Sequence, residues 1–299
     1  MTVTIGVHVS NPSLYHLARL EFAQQALAPF GEDVVFHHFE DGTRTAGLLA
    51  DGTIDISGTG ATPPLTGQAA GHDIVYAAVS TPRPEHGALL VADDGPVRTV
   101  ADLRGLTVVH SVGSWHTHLV AKALHDAGLS YTDVVSERPS AEASLPRLKS
   151  GEIGAWVAQE ADLYGALREG GVRKLVETGD VITDRSVFFA RRDLAENRPQ
   201  VLAAVVKALQ QADSWAATHL DEAAEHAAAE LGGQEQDWRE ALSRLPWKLQ
   251  SVDAAVIAEQ QEAAGILADG GFLSPRITVA DAYLPDLATH VDAALEARP

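Results

Sequence analysis

Gly113-Ser114-Trp115-His116 is the stretch of this 299-residue chain whose residue types carry the most definite chemistry. It joins the end of an expected strand to the start of an expected helix. Backbone N–H groups at such a junction point outward, and the helix dipole favours an anion by about 0.3–1 kcal/mol, up to ~2 when partly buried. Ser114 adds a hydroxyl donor. Two readings fit: an N-capping serine behind a glycine turn, or a cradle for an anion. Gly58-Thr59-Gly60-Ala61-Thr62 opens another helix. Thr62 suits an N-cap with Pro63 in the first helical position, which leaves Gly60 and the Ala61 N–H as ligand candidates. Ser10 and Asn11 follow the first strand, at the edge where open α/β sheets bind ligands. Asn11 suits an Asx turn equally well. Thr43 and Arg44 follow the second strand. Arg44 offers an anion a permanent charge, or sits solvated on the surface. Trp156 ends a strand, where it forms an aromatic wall or packs into the core.

These groups need elements to hold them. Alternating Val3, Ile5, Val7 and Val9 predict a strand over 3–9. Further strands are expected at 34–39, 54–56, 74–79, 88–92, 106–110, 153–157 and 187–190. Helices are expected at 13–29, 43–51, 65–70 and 116–127, then at 198–218, 221–231, 234–243, 252–268 and 286–297. Pro146 predicts a late start or a kink in a helix over 140–149. Thr99 and Asp102 form a capping-box pattern. Strand and helix alternate up to residue 190, the pattern of an α/β chain with parallel sheets under helices.

Composition removes several classes of function. Lys plus Arg is 22 and Asp plus Glu 41, a net charge of −19, which argues against nucleic-acid and anionic-membrane partners. No stretch reaches the ~20 apolar residues of a membrane span. With no cysteine, disulfides, thiolate zinc sites and cysteine nucleophiles are excluded. His37 and His38 face opposite sides of a strand, and His116 and His118 diverge on a helix. No HExxH pattern occurs, so neither a metal nor any cofactor is expected. P-loop, dinucleotide fingerprint and GxSxG elbow are also missing. His8 and His116 remain as single donors or an acid/base pair. The N-terminus shows no basic segment followed by an apolar run, which predicts a cytoplasmic protein, or an extracytoplasmic one whose leader has been removed.

Five segments together, at 52–84, 97–134, 148–167, 187–199 and 251–283, resemble the ABC-transporter solute-binding proteins for aliphatic sulfonates and taurine. That group is related to the nitrate-binding one. The resemblance implies a two-lobed, type II periplasmic-binding-protein-like α/β fold with a ligand cleft between lobes. One lobe would be 1–86 plus 191–299, the other 87–190, with hinge strands at 88–92 and 187–190. It favours anion contact at Gly113-Ser114-Trp115-His116, because a sulfonate has three acceptor oxygens and no proton to give. Many related segments carry a polar residue where Ala61 stands. Related segments read Trp-Asp-Pro where this chain has Gln159-Glu160-Ala161, which implies a changed pocket with Glu160 in it.

The implied function is binding of a small organic anion, foremost an alkyl or aryl sulfonate, for delivery to an ABC permease. A second reading is a cytoplasmic enzyme on the same fold. The chain resembles aryl-sulfinate desulfinases more distantly, but their cysteine nucleophile has no counterpart in His8-Val9-Ser10-Asn11. Thiamin-pyrimidine synthases fit poorly, because their Cys-rich motif is absent. A ligand sensor acting on a protein partner is a third reading.

Overall fold

The computed structural model describes residues 2–139 and 144–297. Its strands are β1 (Thr2–His8), β2 (Asp33–Phe39), β3 (Ile56–Thr59), β4 (Ile74–Ser80), β5 (Gly87–Ala92), β6 (Thr107–Val109), β7 (Val135–Glu137), β8 (Ala155–Gln159), β9 (Val172–Glu177), β10 (Val187–Arg191) and β11 (Leu249–Gln250). They form two sheets, ordered β11-β4-β10-β3-β1-β2 and β7-β6-β8-β5-β9. In the first, β2 and β3 run parallel to β1, while β10 is antiparallel to β3 and β4. In the second, β7 and β8 run parallel to β6, while β5 is antiparallel to β8 and β9. Each sheet thus receives an antiparallel strand where the chain arrives from the other sheet. The crossings are residues 81–86, between β4 and β5, and 178–186, between β9 and β10. They lie directly before the strands 88–92 and 187–190, which are paired within the sheets.

The strands form where β-branched and aromatic residues alternate. All seven residues of β4 are buried, as expected of a strand covered on both faces. Phe188 and Phe189 on β10 are fully buried and point to opposite faces, Phe188 into one apolar cluster and Phe189 into the other. Burying each contributes about 1.5–3 kcal/mol. The helix Pro199–Thr218 lays Val201, Leu202, Val205, Val206 and Leu209 into the Phe188 cluster.

Several local expectations need correction. The helix over 13–29 is two helices, Pro12–Leu17 and Phe22–Leu27, because the first closes at Ala18, whose N–H bonds Leu14 O and His16 O. Thr62 is not the N-cap of its helix. Ala61 holds that position, and Thr62 is the first residue of Thr62–Ala69. The strand over 54–56 begins at Ile56, since the Asp55 carboxylate accepts the Thr4 N–H. The helix containing Pro146 starts late, at Ser144; residues 140–143 lie outside the described residues. The Thr99/Asp102 capping box is present. Among the described residues no helix is long and apolar enough to cross a membrane.

Candidate functional site

Parallel strands that end on the same side set their following loops together, and ligands bind there. One such place is a cavity of about 390 Å³. Ser10 and Asn11 reach it after β1, Thr43 after β2, Gly60 after β3, Arg83 after β4, Ser114 and Trp115 after β6, Arg138 after β7, and Gln159 at the end of β8. Both sheets contribute, so the cleft lies between them. They touch at its edge: a Cβ on Gly113, whose φ is +93°, would meet Thr43 Cγ2 at 2.8 Å.

Six of the expected site residues therefore meet: Ser10, Asn11, Thr43, Gly60, Ser114 and Trp115. Arg44 does not join them. It lines a surface groove with Thr66, Gly67 and His72, because the short 3-10 turn Gly42–Arg44 carries its side chain away from the cleft. Ala61 is buried at the helix start and Gly113 sits behind Thr43, so neither lines the cleft. Trp156 packs with Ala88, Leu90, Val109 and Leu148 and borders a neighbouring side cavity of about 360 Å³, as do His116 and Glu160.

The turn at Ser114 is a cap before it is a cradle. Ser114 Oγ accepts the His116 N–H at 3.1 Å and donates to Ser111 O at 2.7 Å. The Gly113 N–H is held by Thr117 Oγ1 at 2.8 Å. The Ser114 hydroxyl and the Gly113, Ser114 and His116 N–H groups are thus engaged inside the turn.

Other side-chain donors at the cleft include two amides, Asn11 and Gln159, and two arginines, Arg83 and Arg138. Gln159 Oε1 accepts from Trp115 Nε1 at 3.0 Å. His116 Nδ1 accepts the Ser111 N–H, so its Nε2 carries the proton and donates to Gln159 Oε1 at 2.8 Å. With its oxygen doubly engaged, Gln159 has its NH2 left to offer a ligand, and the residue lines the cleft. Asn11 is fixed similarly: Oδ1 caps the Leu14 N–H at 3.2 Å, leaving Nδ2 3.4 Å from Ser186 Oγ. The Asx-type cap and the cleft position are both realised in this residue. Arg83 completes the set. Its side chain is 7% exposed and pairs with Asp184 at 2.8 Å, and Nη1 donates to Ser186 Oγ at 3.1 Å. Its Nε has no partner among the described residues. Burial works against the Asp184 charge, yet Arg83 and His86 together hold its carboxyl below the usual range.

Trp115 is the shared wall. A Cβ on Gly60 would meet Trp115 Cβ at 2.5 Å, and one on Gly87 would meet Cη2 at 2.6 Å. Glycine at these two positions, one from each sheet, lets the indole lie between them, with the His86 ring 4.8 Å away. Arg83, His86 and Ser186 were not singled out by sequence reasoning, and Gln159 entered only as a departure from related segments. The available signal was the Thr81-Pro82-Arg83-Pro84 interruption, an arginine held between prolines where the chain changes sheets. His8, noted as a possible single donor, lines the cleft.

Burial pushes several imidazoles down: His116 to about 3, and His16, His110 and His118 to about 4. Released by unfolding, each takes up a proton near pH 6.5. Between pH 6.5 and about 4 the unfolded chain binds more protons, so stability falls with pH, by about 1.4 kcal/mol per pH unit for each group. Asp213 acts oppositely. Burial raises its carboxyl to about 7 from 3.8, so it offsets one histidine. The melting temperature should drop between pH 7 and 5; a flat or rising profile there would contradict neutral buried imidazoles. Among the described residues no three His, Asp or Glu side chains come together in a way that could hold a metal ion.

Comparison with known proteins places the fold and family of the chain. The profile of the NMT1/THI5-like family matches residues 31–223. A protein of Escherichia coli (strain K12) named for aliphatic sulfonate binding is 30% identical over 242 residues, 81% of this chain and 76% of that protein. The crystal structure of the periplasmic aliphatic sulphonate binding protein SsuA from Escherichia coli superposes with a TM-score of 0.83 at 27% identity, covering 94% of this chain and 91% of that one. The alkanesulfonate-binding protein SsuA from Xanthomonas axonopodis pv. citri, bound to MOPS, gives 0.82 at 25%, covering 95% and 98%. The fold is therefore that of the periplasmic binding proteins, and the chain belongs to the NMT1/THI5-like family.

Proposed function

We propose that this protein is the solute receptor of an ABC importer and binds an organic sulfonate in the cleft between its sheets. The observation that carries the reading is the donor set. Asn11 and Gln159 have their amide oxygens tied down, which leaves their NH2 groups to donate in a cleft that a buried guanidinium, Arg83, also lines. A sulfonate has three acceptor oxygens and nothing to donate, so a wall of oriented donors suits it, and hydrogen bonds to a charged group contribute about 1.5–3 kcal/mol each. The net charge of −19 does not prevent this, because at a Debye length of about 8 Å distant carboxylates are largely screened. The named ligands of the relatives support the same chemistry.

In this reading the lobes are about 1–86 plus 187–299, and 87–186, with β10 on the first lobe because it pairs with β3 and β4, and they close about the crossings 81–86 and 178–186 by hinge motion. A receptor of this kind works outside the cytoplasm and docks a permease. The test is a thermal-shift panel of alkyl and aryl sulfonates, sulfate esters, nitrate and carboxylates. A ligand at 100 times its Kd adds about 2.7 kcal/mol. Sulfonates should raise the melting temperature and be recovered unchanged. No sulfonate response, or a response that fades as the compound is consumed, contradicts the reading.

A further inference from the structure

The helices Leu220–Leu231 and Glu235–Ser243 form a hairpin that chain order assigns to the first lobe and packing to the second. A Cβ on Gly233, in the hairpin's turn, would meet Ala161 Cβ at 3.2 Å, and one on Gly165 would meet Asp237 Oδ2 at 3.3 Å. Ala161 and Gly165 belong to the helix Glu160–Glu169 of the lobe 87–186, so the hairpin lies directly on that helix. Ala161 is buried in one apolar cluster with Ala223, Ala224, Ala227, Trp238 and Leu242 of the hairpin. Beside it, Arg168 grips the buried Asp237 carboxylate with two bonds, Nε to Oδ1 at 3.0 Å and Nη2 to Oδ2 at 2.5 Å. Pulling this pair apart would strand a buried charge, so the contact resists separation.

The hold on the first lobe is of a different kind. Near the turn, where the hairpin walls the side cavity, Tyr15 Oη donates to His226 O at 3.0 Å and Arg19 pairs with the exposed Glu230. An exposed ion pair is weak and easily broken. Arg19 is set in place on its own lobe: its guanidinium carbon stacks 3.5 Å from the Tyr15 ring centroid, and Nη1 donates to Tyr15 O at 2.9 Å. Tyr15 and Arg19 follow Ser10 and Asn11 on the chain, so this contact sits beside the cleft. At its base the hairpin joins the first lobe through His219, which is non-helical at φ −127° and ψ 44°, and through residues 244–248, where Trp247 has φ +48°. Arg244 there pairs with Glu85 of the crossing 81–86 at 2.7 Å. The hairpin is thus jointed at the hinge, gripped by one lobe through buried groups, and touched by the other through a breakable contact.

We propose that this hairpin is a strap that moves with the lobe 87–186, and that the contacts of Tyr15 and Arg19 with His226 and Glu230 latch the cleft in its closed state. This rests on the lobe closure of the reading above.

The protein has no cysteine, so spin labels attach only where cysteines are introduced. Gln24→Cys marks the first lobe, Val135→Cys the second and Glu225→Cys the hairpin, all at exposed positions. Pulsed electron resonance reads the distance between labels in each pair, with and without saturating butane-1-sulfonate. The sulfonate should change the distances from position 24 to 135 and from 24 to 225, and leave that from 225 to 135 fixed. A fixed distance from 24 to 225 with a changing one from 225 to 135 overturns the strap. Three unchanged distances in protein that binds the sulfonate by calorimetry overturn it too, and leave sulfonate binding intact; absence of binding takes down both readings. The latch has its own test: Glu230→Gln should speed sulfonate dissociation about two- to fivefold without lowering the melting temperature, because the pair it breaks is exposed. Dissociation at the wild-type rate from this variant overturns the latch.

Discussion

Replacing Arg83 with methionine should weaken sulfonate binding by about 10- to 150-fold, the loss of one hydrogen bond from a charged donor. The same change strips Asp184 of its main counter-charge in a site where that carboxylate is 1% exposed. Breaking a buried pair from one side costs about 3–5 kcal/mol, so the variant should also melt well below the wild type. The two effects separate in the double variant Arg83→Met/Asp184→Asn. Without an unpaired carboxylate it should recover much of the stability, yet none of the affinity. Titration calorimetry and melting curves on the three proteins check this. Affinity that returns with stability would show that Arg83 acts through the fold and not on the ligand.

Trp115→Ala should destabilise the protein by about 3–5 kcal/mol, as expected for a truncated buried tryptophan. The indole is 5% exposed, fills the space that Gly60 and Gly87 leave, and donates to Gln159. Its loss opens a void between the sheets and frees the Gln159 amide to rotate. Binding should therefore weaken even at temperatures where the variant is fully folded. Trp115→Phe, which keeps the ring but not the N–H, should fold better than the alanine variant and still bind less tightly than wild type. An alanine variant with wild-type affinity would remove the clamp from the account.

The parts of the molecule that were legible in the sequence are those set by local periodicity. Val3, Ile5 and Val7 alternate, and they form β1. The Ser114 cap and the Thr99/Asp102 box lie within four residues of their partners, and both form. What local pattern does not carry is pairing across the fold. Arg83 meets Ser186 103 residues away, and His86 meets Asp184 98 residues away, so nothing near either one marks it as a cleft group. Arg44 shows the reverse error. A lone arginine after a strand fits an anion site by type, yet the 3-10 turn sets its direction, and direction was invisible. Gln159 and Glu160 were noticed as a departure in a related segment, but the role of Gln159 follows only from what its oxygen accepts. Ser114 lines the cleft as expected, and its hydroxyl also serves as the cap inside its own turn.

The most direct measurement is a crystal structure of the protein with butane-1-sulfonate. The sulfur should lie in the cleft with its oxygens in hydrogen-bond reach of Asn11 Nδ2, Gln159 Nε2 and the Arg83 guanidinium, and the alkyl chain beside Trp115. A sulfonate seated elsewhere, or one held by the Ser114 turn with these three groups untouched, would contradict the account.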